Sequence, residues 1–263
     1  MLVLVLQLLL IGSGAGLLAG LLGIGGGLVT VPALTWILLN QGTPIDQAVA
    51  MAVATSLGAM LLTSASAIWF HDRRGGVDWA CVGRLAPTLG LGAVIGAWLA
   101  TELSGPALAR VFAVAAAGIG LRMLLSKGSG STAAQRTPHP RGWYLAGPFF
   151  GALSAMIGIG GGSFNVPYLQ HNGYPMVRAV AIASACGWPI ALGGVIGFVV
   201  TGWSQEIRPW SLGYLYGPGC LLIGLAGATA APFGVGLAHR LPALGLRRLF
   251  GLALIGVAVR MAW

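Results

Sequence analysis

Apolar residues run in long blocks with short polar punctuation between them, and the block lengths set the expected elements. Residues 3–22 form a first helix, and a glycine string at 23–27 breaks it. A short helix follows over 28–39, with Pro32 near its start, where a missing N–H is tolerated. Asn40-Gln41-Gly42-Thr43-Pro44 reads as a turn. The pattern then predicts long helices over 45–70, 79–101 and 106–125, the first ended by His71-Asp72-Arg73-Arg74-Gly75-Gly76. After a polar stretch the order returns: helix 143–157, glycine string 158–162, short helix 163–171, then helices 175–201, 210–233 and 243–262. Blocks of about twenty apolar residues are long enough to cross a bilayer of ~30 Å. The expected fold is therefore an all-α polytopic membrane protein.

The string that interrupts each half is nearly the same. Gly23-Ile24-Gly25-Gly26-Gly27 leads into Leu28-Val29-Thr30-Val31-Pro32, and Gly158-Ile159-Gly160-Gly161-Gly162 leads into Ser163-Phe164-Asn165-Val166-Pro167. Three consecutive glycines make poor helix, at about 1 kcal/mol each relative to Ala. An open loop in lipid costs more, several kcal/mol for each unpaired backbone group. What remains is broken backbone buried in protein or lining a cavity. Each string reads as the junction of two half-helices, and residues 163–171 are too few to span at ~1.5 Å per residue. The half-helix pairs are expected to be re-entrant and to meet near the middle of the membrane.

The likeness of the halves extends beyond glycine. Ala48-Val49-Ala50-Met51-Ala52 matches Ala179-Val180-Ala181-Ile182-Ala183, and Pro87 pairs with Pro218. Arg110-Val111-Phe112 matches Arg248-Leu249-Phe250, and Arg122-Met123 matches Arg260-Met261. The division is a first repeat over 1–126, a linker over 127–141 and a second repeat over 142–263. The linker, from Lys127 to Arg141, is the one extended Gly/Ser/Pro-rich polar stretch and is expected to be flexible. Residues 1–22 lack a positively charged start and have a mid-chain counterpart before Gly158, so they are read as mature structure and not as a signal peptide.

Composition agrees with this class: 57% of the 263 residues are hydrophobic and 7% charged, against about 25% charged in soluble domains. The net charge of +9 lies singly or in pairs at segment ends, which argues for topology signals and against nucleic acid. If each broken pair enters and leaves on one side, the repeats are inverted. One side then holds Arg73, Arg74, Arg84, Arg122, Lys127, Arg136, Arg141, Arg178, Arg240, Arg247 and Arg248, and the other only Arg110, Arg208 and Arg260. Counting each pair as one crossing gives a nearly even split, so the inverted arrangement is preferred, with the linker cytoplasmic and both termini outside.

Chemistry has few candidates. The half-helices after the strings expose their first amides, whose partial positive charge suits an anion, and glycine lets a ligand come close. The expected substrate contacts are Gly25, Gly26, Gly27, Gly160, Gly161 and Gly162, with Thr30, Ser163 and Asn165 from the first helical turns. Thr55, Ser56, Ser184 and Cys186, the polar members of matching small-residue runs, are placed around the same site. The bland alternatives are packing surfaces for the glycines and hydroxyls bonded back to their own helices. Asp46, Asp72, Asp78, Glu102 and Glu206 all fall at turns or helix ends, so no carboxylate relay is expected. Arg122 and Arg260 are expected to snorkel to the interface. The four histidines and three cysteines are scattered, so no metal, cofactor or catalytic pair is called for.

The doubled glycine string with its Val-Pro pair, supported by the Ala-rich stretches at 48–56 and 179–187, resembles the sulfite exporter TauE/SafE family over essentially residues 3–262. The resemblance implies transport of sulfur-containing anions, such as sulfite, sulfoacetate or related organosulfonates, across the bacterial inner membrane. The expected partners are a small anion and the bilayer, with the number of copies open and a homodimer as one option. The leading expectation is a transporter exporting a sulfur oxyanion or sulfonate by alternating access, with an anion channel or a permease for a non-sulfur anion as the alternative. A membrane-embedded enzyme would need a nucleophile–base pair or metal ligands that the sequence does not offer.

Overall fold

The computed structural model describes residues 2–22, 26–125, 140–204, 208–238 and 243–262. Gly25 and most of the expected linker lie outside these residues, and Pro140 and Arg141 at the linker's end already belong to a helix. The helices are α1 (Leu2–Leu22), α2 (Gly27–Asn40), α3 (Ile45–Asp72), α4 (Trp79–Glu102), α5 (Gly105–Leu125), α6 (Pro140–Met156), α7 (Gly162–His171), α8 (Met176–Thr201), α9 (Gly217–Ala238) and α10 (Ala243–Ala262). Among the described residues six helices, α1, α3, α4, α5, α8 and α9, are long and apolar enough to cross a membrane. With 14 and 10 residues, α2 and α7 reach only about 21 and 15 Å at ~1.5 Å per residue, short of a bilayer. This is an all-α, multi-pass architecture in which two short helices follow two glycine strings.

One expected helix is wrong at its start. Residues 211–216, read as the beginning of a helix over 210–233, form a hairpin of β1 (Ser211–Leu212) and β2 (Leu215–Tyr216) instead, and α9 begins only at Gly217. Gly213, the first residue of the two-residue turn, has φ +56, a conformation that costs glycine little and ends any helical run there. The hairpin is inserted into the bundle. The Tyr216 amide donates to Thr55 Oγ1 at 3.0 Å, Leu215 packs on Gly58, and Tyr214 stands edge-on to Phe198 at 6.3 Å. Replacing Thr55 by valine is expected to leave that amide buried without an acceptor and to cost about 1–3 kcal/mol. Thermal unfolding in detergent measures it, with Thr55→Ser as the control that retains the acceptor.

Close helix crossings are made by small residues. Gly12, Gly16 and Gly20 of α1 lie directly on Ile223, Gly227 and Ala231 of α9, each where a Cβ would overlap the facing backbone. Gly92 and Gly96 of α4 lie in the same way on Pro148 and Ala152 of α6. In a membrane such contacts replace the hydrophobic drive that lipid cannot supply. Position rises together along both partners, so α1 runs parallel to α9 and α4 parallel to α6.

The packing pairs map onto one another when the halves are exchanged. The α1–α9 pair corresponds to α6–α4, α3–α9 to α8–α4, and α2–α3 to α7–α8, while α3–α8 and α5–α10 map onto themselves. Leu57 faces Gly194 and Ser64 faces Gly187, so α3 and α8 cross antiparallel at the centre. The α3 and α8 spans are also the most enclosed, 83% and 61% buried over their most apolar windows. Across the turns at one end, Tyr174 donates its hydroxyl to Asp78 at 3.2 Å, which places the α7–α8 turn beside the α3–α4 turn.

The same contacts correct one expected match. Gly90 faces Gly193, whose counterpart in the first half is Leu62, and Leu62 faces Gly224. Gly90 therefore corresponds to Gly224, and Pro87 falls opposite Leu221. Pro218 belongs to the first turn of α9, where proline costs least.

Candidate substrate site

The second glycine string leaves a row of amides without partners. Ile159 N donates to the Ser154 carbonyl at 3.0 Å, and the next amide with a backbone acceptor is that of Phe164, on Gly161 O at 3.3 Å. The amides of Gly160, Gly161, Gly162 and Ser163 lie between them. Gly161 caps α7 without a side-chain acceptor, so the helix presents its positive end unscreened. The next polar groups are also unpaired: Ser163 Oγ and Asn165 Nδ2 are buried with no hydrogen-bond partner, at residues 8% and 1% exposed. Nature seldom leaves a buried donor orphaned, and a cluster of orphans calls for a reason.

The two strings meet. Gly158 sits at φ +64, and its carbonyl accepts from Ser56 Oγ at 2.9 Å. The same carbonyl lies against Gly27, where a Cβ would overlap it. Val31 and Val53 close the other side of Gly158. Past the described part of the first string the amides pair as they do past the second, where Phe164 N and Asn165 N donate to Gly161 O at 3.3 and 2.7 Å, and the Thr30 hydroxyl adds one bond. Val29 N, Thr30 N and Thr30 Oγ1 all donate to Gly26 O, at 3.1, 3.0 and 3.1 Å.

Among the described residues, a cavity opens on the second string. Its wall is Gly160, Gly161 and Gly162, with Ala19 from α1, Met60, Thr63, Ser64 and Ala67 from α3, and Ala183, Ser184 and Gly187 from α8. The centre of a water molecule has about 20 Å³ to move in, roughly the room one water needs. Among the described residues, no Asp, Glu, Lys or Arg is part of this wall. It lies off-centre, toward the end of the bundle that carries the α3–α4 and α7–α8 turns.

The expected site residues thus divide. Gly160, Gly161, Gly162 and Ser184 line the cavity, although the Ser184 hydroxyl also bonds back to Val180 O at 2.9 Å. Ser163 and Asn165 follow the glycine wall without lining the cavity, with Asn165 Nδ2 lying over Gly161. Gly27 forms the contact between the strings and Gly26 lies against Ala15 of α1, neither of them lining the cavity, and Thr30 is satisfied within its own helix. Thr55 holds the hairpin, Ser56 holds Gly158 O, and Cys186 is buried in the core away from the wall. Thr63 and Ser64 were missed by the sequence reading. They continue the face of Ser56 at helical spacing, and that periodicity was the signal that could have found them.

The sequence profile of the sulfite exporter TauE/SafE family matches residues 8–261. The chain belongs to the TauE/SafE family. Among its curated relatives is a probable membrane transporter protein of Haemophilus influenzae, 34% identical over 98% of this chain and 97% of that one. Another, from Methanocaldococcus jannaschii, is 26% identical over 95% of this chain and 92% of the relative. A third, from Xylella fastidiosa, is 28% identical over 96% and 94%. No solved structure gives a significant match. In this TauE/SafE protein, a member of a membrane-transporter family, the match spans both strings and every residue that lines the cavity.

Proposed function

We propose that this TauE/SafE protein carries a small sulfur-containing oxyanion, sulfite or an organosulfonate, out of the cell by alternating access across the bacterial inner membrane. The observation that carries the reading is the row of unpaired amides at 160–163, with the orphan donors of Ser163 and Asn165 beside it and a cavity along it. Hydrogen-bond donors without formal charge can replace an oxyanion's hydration shell and still release it. The antiparallel crossing of α3 and α8 and the exchange symmetry of the packing support two inverted repeats, 1–126 and 142–263. The positive-inside count then puts the cavity-bearing end toward the cytoplasm and both termini outside.

A carrier is favoured over a channel because the space opposite the cavity is filled. Leu57 packs on Gly194, Phe198 is fully buried, and the hairpin closes behind them. The test is a thermal-shift screen of purified protein, with flux in proteoliposomes, against sulfite, thiosulfate, sulfonates, sulfate and chloride. Stabilisation and saturable flux with sulfite or a sulfonate, and not with chloride, are expected. Selectivity for chloride, or currents far above carrier rates, overturns the reading.

A further inference from the structure

Ser154, on α6 one turn before the second glycine string, is fully buried, and its hydroxyl has no hydrogen-bond partner. Its place in the repeat gives that orphan a meaning. Counting back from Gly23 and Gly158, Ser154 is the counterpart of Ala19, which lines the cavity. The described counterparts of the other wall residues are Gly26 and Gly27 for the string, Ala191, Gly194, Val195 and Phe198 for the α3 wall, and Ala52, Val53 and Ser56 for the α8 wall. In this structure that second set is packed shut. Leu57 fills the space over Gly194, with Ala155, the neighbour of Ser154, next to it. Ser56 is engaged with Gly158 O, and Phe198 is wedged against Tyr214 of the hairpin.

We propose that Ser154 is a substrate-contacting residue of a counterpart cavity, one that opens toward the termini when the present cavity closes. This rests on the transport reading above. The exchange symmetry of the packing means that moving the halves into each other's arrangement puts Ser154 where Ala19 is now, against a glycine string and the open space. The second string then loses its cavity and the first gains one. The first string has Leu28 where the second has Ser163, so it lacks a side-chain donor there, and the Ser154 hydroxyl supplies one from the facing helix. The two cavities bind the same anion class, small oxyanions and sulfonates, through different side chains.

Thiol accessibility tests this in proteoliposomes of a variant lacking Cys81, Cys186 and Cys220, once that variant is shown to transport sulfite. Ser154→Cys and Ser64→Cys are each treated with a membrane-impermeant charged maleimide from either side. Methanesulfonate is the protecting anion, because sulfite itself consumes the reagent. Ser154→Cys is expected to react only from the side of the termini and Ser64→Cys only from the opposite side, both more slowly with methanesulfonate present. A Ser154 thiol unreactive from both sides, with Ser64→Cys reactive and protected, overturns this proposal and leaves the transport reading standing. Absence of protection at both positions, with no anion shifting the melting temperature, overturns the transport reading itself. Ser154→Ala gives an independent measure. Loss of one neutral hydrogen bond to substrate is expected to raise half-saturation from the side of the termini roughly 3- to 10-fold, with the melting temperature unchanged or higher. A lower melting temperature with unchanged kinetics would make Ser154 a packing residue only.

Discussion

Replacing Asn165 by alanine is expected to weaken anion binding by roughly 10- to 100-fold while leaving the protein as stable as before or more so. The two effects have one cause. Asn165 Nδ2 is a buried donor with nothing to donate to, and such a group carries a desolvation penalty of about 1–3 kcal/mol in the folded state. Removing the amide relieves that penalty. A donor facing an ionised ligand is worth about 1.5–3 kcal/mol, and that contribution disappears with it. Asn165→Asp is the sharper variant. It has nearly the same shape, but it substitutes an acceptor that would carry charge beside the anion, and it is expected to abolish saturable flux. Thermal shift with and without sulfite, and flux in proteoliposomes, read both variants. If Asn165→Ala binds sulfite normally, the orphan amide is an accident of packing and the site is misplaced.

Gly27→Ala is expected to be the most damaging single methyl in the protein. A Cβ at Gly27 would overlap the Gly158 carbonyl and crowd Ile159, and the obstacle is backbone, unlike the far end of a side chain that can swing away. Overpacking a tight core costs about 1–3 kcal/mol where neighbours can adjust. Here the upper end or beyond is expected, because Gly158 is already held by its positive φ and by Ser56. The yield of folded protein and its melting temperature should both fall, and transport with them. Gly14→Ala in α1, where a Cβ meets nothing within 4 Å, is the control and should behave as wild type. Equal stability of the two variants would mean that the strings do not touch as described.

The hydropathy pattern carried most of the element order. The ends of α1, α2, α5 and α10 fall within a residue or two of the expected ones, because membrane helices are apolar along their whole length and stop where polarity begins. The hairpin was illegible for the same reason. Ser211 to Tyr216 is nearly as apolar as the helix it precedes, and only Gly213 among them hints at a turn. The mispairing of Pro87 with Pro218 arose because proline tolerance depends on position within a helix, which sequence likeness does not weigh.

Of the site, the glycine strings, Ser163 and Asn165 could be singled out from the chain alone, since three glycines in an apolar run have few physical uses. The roles of the hydroxyls could not. Thr55, Ser56, Thr30 and Thr63 differ little from Ser64 and Ser154 by residue type, yet the first four spend their hydrogen bonds on the fold. Which acceptor lies within reach is a property of neighbours brought from far along the chain, as when Ser56 meets Gly158. By itself, then, the order of residues determined that this protein is membrane-embedded and carries two like glycine strings, each ahead of a short helix, because hydrophobicity and backbone freedom are local properties. Tertiary packing alone decided that the strings touch, that one of them carries the cavity, and that the hairpin side is shut, because orphaned donors and open space exist only where distant segments fail to fill one another.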